Sequence, residues 1–138
     1  MKIDLKLIRA YAQNDCFATE NGMVIDFAAE DCVICGMDLA ERHRNPVGNV
    51  QGGAIFTLAD FAFGIHCNLA MICGEDVGVT LGQSCSISYL KRTRGRRLIA
   101  KSTRLSKGRN TSVYRICVKD DLGIPIAEML ANAFTAAK

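Results

Sequence analysis

The stretch Gln51–Cys73, QGGAIFTLADFAFGIHCNLAMIC, decides the fold. It opens on a glycine pair and then runs almost unbroken through apolar residues, too long for one strand, so it reads as a long helix. Its length would suffice to cross a bilayer, but it carries Asp60, His66 and Asn68. An aspartate at the membrane midplane costs about 2.5–3.5 kcal/mol, so a buried helix of a water-exposed protein is the better reading, and no membrane partner is expected. The helix is apolar around most of its circumference, so one contact face cannot cover it. A strongly curved sheet wrapped around it can.

The rest of the chain supplies such a sheet. After the helix, VGVTLGQSCSISYL, RRLIAKSTRLS, TSVYRICVKD and IPIAEMLANAFT read as four extended segments, divided by TRG, KGRN and DDLG, each a turn signal containing glycine. Connections this short imply antiparallel neighbours. Before the helix, residues 3–13 place Ile3, Leu7, Ile8 and Tyr11 at helical spacing, the signature of a short amphipathic helix that packs on the core. CFATENGMVIDF reads as two extended runs around a hairpin at Asn21-Gly22, and DCVICGMDL as a strand leading into the polar loop AERHRNPVGN. The expected class is α+β, one domain over residues 1–138, in the order β-β-α-β-β-β-β.

Composition narrows the function. Nearly half of the 138 residues are apolar and only two are proline, which excludes a disordered or linker-rich chain. The first residues, MKIDLKLIRAYAQND, contain no unbroken apolar run, so export is not expected. Seven cysteines, several within apolar runs, fit a reducing cytoplasm. Cys32 and Cys35 spell C-x-x-C, but no second pair stands at zinc-ligand spacing and no βαβ pattern surrounds it; two neighbouring strand cysteines is the reading, and no metal is expected. Residues 91–115 hold ten basic residues and no acidic one, against a net −7 for the remainder. Such asymmetry points to a polyanionic partner or to a solvated face. Helix-turn-helix, zinc-finger and RNP-type patterns are absent, which argues against nucleic acid.

Asp60 is the candidate for chemistry. It lies eight residues into the helix from Gly52, too deep for an N-cap, so its carboxylate is either bonded within an interface or used as a base or nucleophile. Gly52-Gly53 let a ligand approach the free N–H groups at the helix start, where the dipole favours a developing oxyanion. Eight residues span about 12 Å of helix axis. One small reacting group therefore cannot touch both Gly52 and Asp60 of one chain, and a two-fold dimer with antiparallel central helices would bring the glycine end of one helix to the carboxylate of the other. His66 is on a different helix face from Asp60 and reads as packed; His43 falls in the loop ahead of Asn45.

The stretch NPVGNVQGGAIFTLADFAFG resembles the signature of hotdog-fold acyl-CoA thioesterases of the phenylacetate-degradation (PaaI-like) type, and the similarity extends through VTLGQSCSISYLKRTRG and LSKGRNTSVYRICVKDDLG, over roughly residues 15–136. The resemblance implies hydrolysis of acyl-CoA by an antiparallel sheet wrapped around a central helix, in a dimer or dimer of dimers. It implies no cofactor, since coenzyme A is part of the substrate. Carried over by position, Asp60 is the catalytic carboxylate, Gly52 the oxyanion donor, and Asn45 the residue that positions carboxylate or water; Gln51 holds the place usual for histidine. Gly53 belongs with the substrate, Thr80 or Ser84 supplies a hydroxyl, and Lys107, Gly108 and Arg109 hold CoA phosphates. Two departures stand out: the amide of Gln51 cannot titrate, and Gly64 occupies a position one turn beyond Asp60 where relatives often carry a hydroxyl. A hotdog that binds acyl-CoA without turnover is the rival reading that Gln51 keeps open.

Overall fold

The computed structural model describes residues 1–138. Two short helices, α1 (Leu5–Ala12) and α2 (Cys16–Glu20), precede β1 (Met23–Ala29) and β2 (Cys32–Asp38). A 3₁₀ turn at Glu41–His43 leads to the long helix α3 (Gly52–Cys67) and its one-turn continuation α4 (Leu69–Ile72). The strands β3 (Thr80–Tyr89), β4 (Arg97–Lys107), β5 (Thr111–Asp120) and β6 (Pro125–Thr135) follow. All six strands form one antiparallel sheet in the order β1-β2-β4-β5-β6-β3. Its concave face holds α3, the sheet-around-helix arrangement that the resemblance implies. No helix is long and apolar enough to cross a membrane.

The sheet wraps most of α3 but not all of it. Ile55, Leu58, Ala59, Phe61, Ala62, Phe63, Ile65 and His66 are buried against Val33, Leu98, Ile116, Val118 and Met129 in one core. Leu58 is fully buried, so truncating it to alanine costs about 2–5 kcal/mol. Gly52, Gly53, Phe56, Thr57, Asp60, Gly64 and Cys67 recur every three or four residues, and none of them is buried. They form one stripe along the helix, with Asp60 near its middle.

Three local expectations are corrected. Asn21-Gly22 does not turn a hairpin. Asp15 caps a helical turn by accepting from the Ala18 N–H at 3.0 Å, and Gly22, at φ +77°, ends that turn in the left-handed conformation that glycine tolerates. The long helix breaks at Asn68, whose amide donates to the Gly64 and Thr80 carbonyls and whose oxygen accepts the Thr80 N–H at 2.8 Å, tying the end of α3 to β3. Nor is β3 the neighbour of β4. It pairs with β6 at the far edge, and residues 90–96 cross over the ends of β5 and β6 to reach β4. The crossing is held by Leu90 N–H on the Ile126 carbonyl and by Asp120, which accepts from Arg94 and Gly95 with one carboxylate oxygen and from Leu122 and Ile124 with the other.

Candidate active site

The start of α3 is built by the loop before it. The Asn45 side-chain oxygen accepts from Val47 and Asn49 N–H at 3.1 and 3.0 Å, and Gly48 at φ +84° lets the loop turn back to an Arg44–Val50 bridge. Gln51 N–H is taken by the His43 carbonyl at 2.7 Å, while the Gly52 and Gly53 N–H groups have no acceptor in the chain. Two donors thus face outward at the positive end of a four-turn helix. The Tyr89 hydroxyl, absent from the sequence expectations, donates to the Gly52 carbonyl at 3.1 Å and pins the end of β3 to the helix start.

Asp60 stands apart from these groups. It shares a cavity of about 350 Å³ with Tyr11, Asn14, Asp15, Phe61 and Gly64, whereas Asn45 and Gly52 line another of about 340 Å³ with Tyr89, Lys91 and Arg92. The two halves of the expected site are separate within one chain, as the helix rise requires. The Asp60 tip reaches solvent, yet the surrounding segment withdraws enough water to raise its pKa, and Asp15 adds a like charge in the same direction. Neighbouring Cys67 is pushed up to about 12, first by burial and also by Asp60, so it remains a thiol. Around Gly64 there is open space for a further side chain, so this departure enlarges the cavity rather than filling it. The α1–α2 segment, expected only to pack, forms one wall here.

A bulge separates the two hydroxyl candidates. Thr80 and Gly82 point toward α3, and strict alternation would put Ser84 with them. The ladder shifts between Gly82 and Ser84, so Ser84 turns to the outer face, where its hydroxyl accepts from Asn132, and Cys85 takes the inner position. Ser84 is therefore not on the sheet face that holds α3. Thr80 is, but its hydroxyl is engaged with that of Thr135 at 2.7 Å.

Lys107, Gly108 and Arg109 form the exposed β4–β5 turn and line a cavity of about 320 Å³ with Thr80, Arg104 and His66. Asn68 lines both this cavity and that of Asp60. His66 is packed: Nε2 donates to the Glu30 carbonyl at 3.0 Å, Nδ1 meets the Ser102 hydroxyl at 2.9 Å, and burial lowers its pKa, keeping it neutral. His43 is likewise buried, with Nδ1 accepting from Ala40 N–H and Nε2 donating to the Asn21 carbonyl. Cys32 and Cys35 lie three positions apart on β2 and so project to opposite faces, unable to close on one metal or on each other. No group of three or more histidine, cysteine or acidic side chains is placed to hold a metal ion.

A helix inside a curved antiparallel sheet, with a carboxylate on its open stripe and free glycine N–H groups at its start, defines the hotdog class. The sequence pattern of the thioesterase superfamily matches residues 47–125, and the chain belongs to that superfamily. It is 30% identical over 109 residues to the "Putative esterase" of Deinococcus radiodurans, spanning 79% of this chain and 70% of that protein. Against the protein of the same name in Archaeoglobus fulgidus it is 30% identical over 92 residues, 66% of this chain and 56% of the relative. In structure it is similar to a mutant thioesterase from Pseudomonas aeruginosa (TM-score 0.88, 21% identity, 100% of this chain and 97% of that one). It is also similar to the E. coli PaaI protein from the phenylacetic acid degradation operon (TM-score 0.82, 21% identity, 96% of each chain).

Proposed function

We propose that this protein is an acyl-CoA thioesterase working as a two-fold dimer in which Gly52 of one copy faces Asp60 of the other. The observation that carries the reading is the open stripe of α3, with an unpartnered, pKa-raised carboxylate at its middle and two free N–H groups at its start. Halfway between Gly52 and Asp60 lies Phe56, so antiparallel packing of two stripes about Phe56 brings each glycine end to the other copy's carboxylate. Pairing of such dimers would give a tetramer.

In the reaction, the thioester carbonyl accepts from the Gly52 N–H, which stabilises the oxyanion as it forms. Asp60 either takes a proton from the attacking water or attacks the carbonyl carbon itself. The carbon–sulfur bond breaks and the sulfur leaves as CoA thiolate and is protonated; by the first route the acid is released at once, and by the second a water then hydrolyses the acyl–Asp60 anhydride to release the acid and restore the carboxylate. Asn45 keeps its amide N–H groups free to hold the water or carbonyl, since only its oxygen is used by the loop. Gln51 offers an amide where an imidazole is usual. Lys107 and Arg109 would grip CoA phosphates, with Gly108 shaping the turn and Thr80 lining the same cavity; Asn68 marks the path from there to Asp60.

The test is thiol release from a panel of acyl-CoAs, with binding measured in parallel. Turnover of at least one acyl-CoA is expected, and binding without release in every case would leave a binding module instead. Alanine at both Lys107 and Arg109 should raise KM several-fold for every acyl-CoA alike, since the phosphates are far from the breaking bond.

A further inference from the structure

The donors of the proposed oxyanion site stand at the weakest point of α3. A helix that opens on two glycines has no Cβ to shield its first N–H groups, which lets a carbonyl reach them, but glycine is the least favourable helix residue after proline and the first turn has no helical partners for its N–H groups. The N-cap gives no help, because the Gln51 side chain makes no capping bond. Each glycine carbonyl instead receives a hydroxyl. Thr57 donates to the Gly53 carbonyl at 2.7 Å from within the helix, and Tyr89 donates to the Gly52 carbonyl at 3.1 Å from outside it. Of the two, the second ties the helix to another element. Tyr89 closes β3, where it pairs with Ala127 of β6, and the next N–H, that of Leu90, is taken by the Ile126 carbonyl at 2.8 Å. Its ring lies along Gly52, where an added Cβ would stand 3.4 Å from Cζ, 3.5 Å from Oη and 3.6 Å from Cε1.

We propose that Tyr89 is a positioning residue of the thioester site, whose hydroxyl holds the glycine start of α3 in the wound form that presents the Gly52 and Gly53 N–H groups to a bound carbonyl. This rests on the acyl-CoA reading above. The Gly52 carbonyl and the Gly53 N–H belong to one planar peptide, so a bond that fixes the first fixes the second, and the Gly52 N–H is one α-carbon away. A carbonyl that accepts a further hydrogen bond also makes its own amide a stronger donor. An oxyanion hole contributes only as far as its donors are in place before charge develops, so the hydroxyl matters most in the transition state and least for binding the rest of the substrate. The bond is exposed to solvent. Water can therefore replace the hydroxyl on the carbonyl when it is removed, satisfying the acceptor without tying the helix to β3.

The experiment sets Tyr89→Phe, which keeps the ring against Gly52 and removes only the hydroxyl, against wild type. It measures kcat and KM for acyl-CoA cleavage and Kd for two uncleavable CoA analogues of equal length, an S-alkyl thioether and the ketone in which a methylene separates sulfur from the carbonyl. Wild type should bind the ketone several-fold more tightly than the thioether, and the infrared carbonyl stretch of the bound, isotope-labelled ketone should lie below its value in water. Tyr89→Phe should lower kcat about tenfold while KM and the thioether Kd stay within about twofold and Tm within about 2 °C. It should also remove most of the preference for the ketone and return the stretch toward its value in water. An unchanged kcat and ketone preference in Tyr89→Phe would overturn the proposal and leave the thioesterase reading intact. So would a uniform loss, in which Tm and the affinity for both analogues fall together, since that marks Tyr89 as structural support alone. If wild type cleaves no acyl-CoA, yet its ketone preference and carbonyl shift disappear with the hydroxyl, the positioning role stands and hydrolysis falls.

Discussion

Two aspartates, one at the middle of a helix and one at the end of a strand, meet opposite fates. Asp120, at the end of β5, is 2% exposed and receives four backbone N–H groups, which hold its carboxyl below the usual range against the cost of burial. Asp60, at the middle of α3, receives none, and desolvation followed by the Asp15 charge raises its pKa. The difference lies in the partners, not in the residue. A satisfied carboxylate closes a crossover; an unsatisfied one is the group that the proposed reaction uses.

The sharpest way to break this contrast is the same near-isosteric change at both positions. Asp60→Asn should lower turnover by about 10²–10⁴-fold, because an amide is neither base nor nucleophile, and near wild-type thiol release would remove Asp60 from the mechanism. Stability should move the other way. A carboxyl whose folded pKa is raised costs stability once pH exceeds that value, so the variant should unfold at the same temperature as wild type or higher at neutral pH, with any advantage vanishing below the unfolded pKa of about 3.9.

Asp120→Asn should instead destabilise by about 2–4 kcal/mol, since one carboxylate oxygen becomes an NH₂ group facing two N–H donors. In thermal unfolding this is a drop in Tm of about 5–15 °C. The lowered folded pKa makes the contribution fully present above pH about 3.9 and lost as pH falls through the folded value, so the gap from wild type should narrow in acid. An equal gap at all pH would mean that the charge on Asp120 plays no part in closing the crossover.

A smaller effect tests the neighbour. Asp15→Asn keeps an N-cap, since asparagine caps as well as aspartate, but removes the like charge from the Asp60 cavity. The acid limb of the pH–rate profile should move to lower pH with little change in the plateau; an unmoved limb would leave burial alone to raise Asp60. The smallest effect is expected of Gln51→His, which should hold activity or raise it a few-fold if the amide only orients the carbonyl. A large loss would mean that the helix start has been built around the amide.

Much of this was legible in the chain because it depends on local pattern. The length of the apolar run in Gln51–Cys73 specifies a helix, the glycine-bearing turns KGRN and DDLG specify antiparallel neighbours, and the eight-residue spacing of Gly52 and Asp60 already separates them on one chain. The hairpin reading at Asn21-Gly22 failed because glycine after asparagine serves a helix end as well as a tight turn, and only the Asp15 cap decides between them.

What only the tertiary structure decided is whatever depends on a single residue's shift or on a distant partner. Ser84 leaves the face of Thr80 because one bulged residue inverts the alternation, an event with no periodic signal. The pairing of β3 with β6 rather than β4 goes with a crossing loop that is held by Asp120, thirty-one residues beyond the end of β3. That Asp60 lies on the one stripe the sheet leaves open follows from how far six strands can curl around one helix. The sequence by itself thus determined the helix, the extended segments of the sheet and the spacing of the two groups that the proposed reaction uses, because local sterics and solubility act on neighbours. Which side chains face one another was decided by closure of the sheet, because register and curvature are properties of strands far apart in the chain.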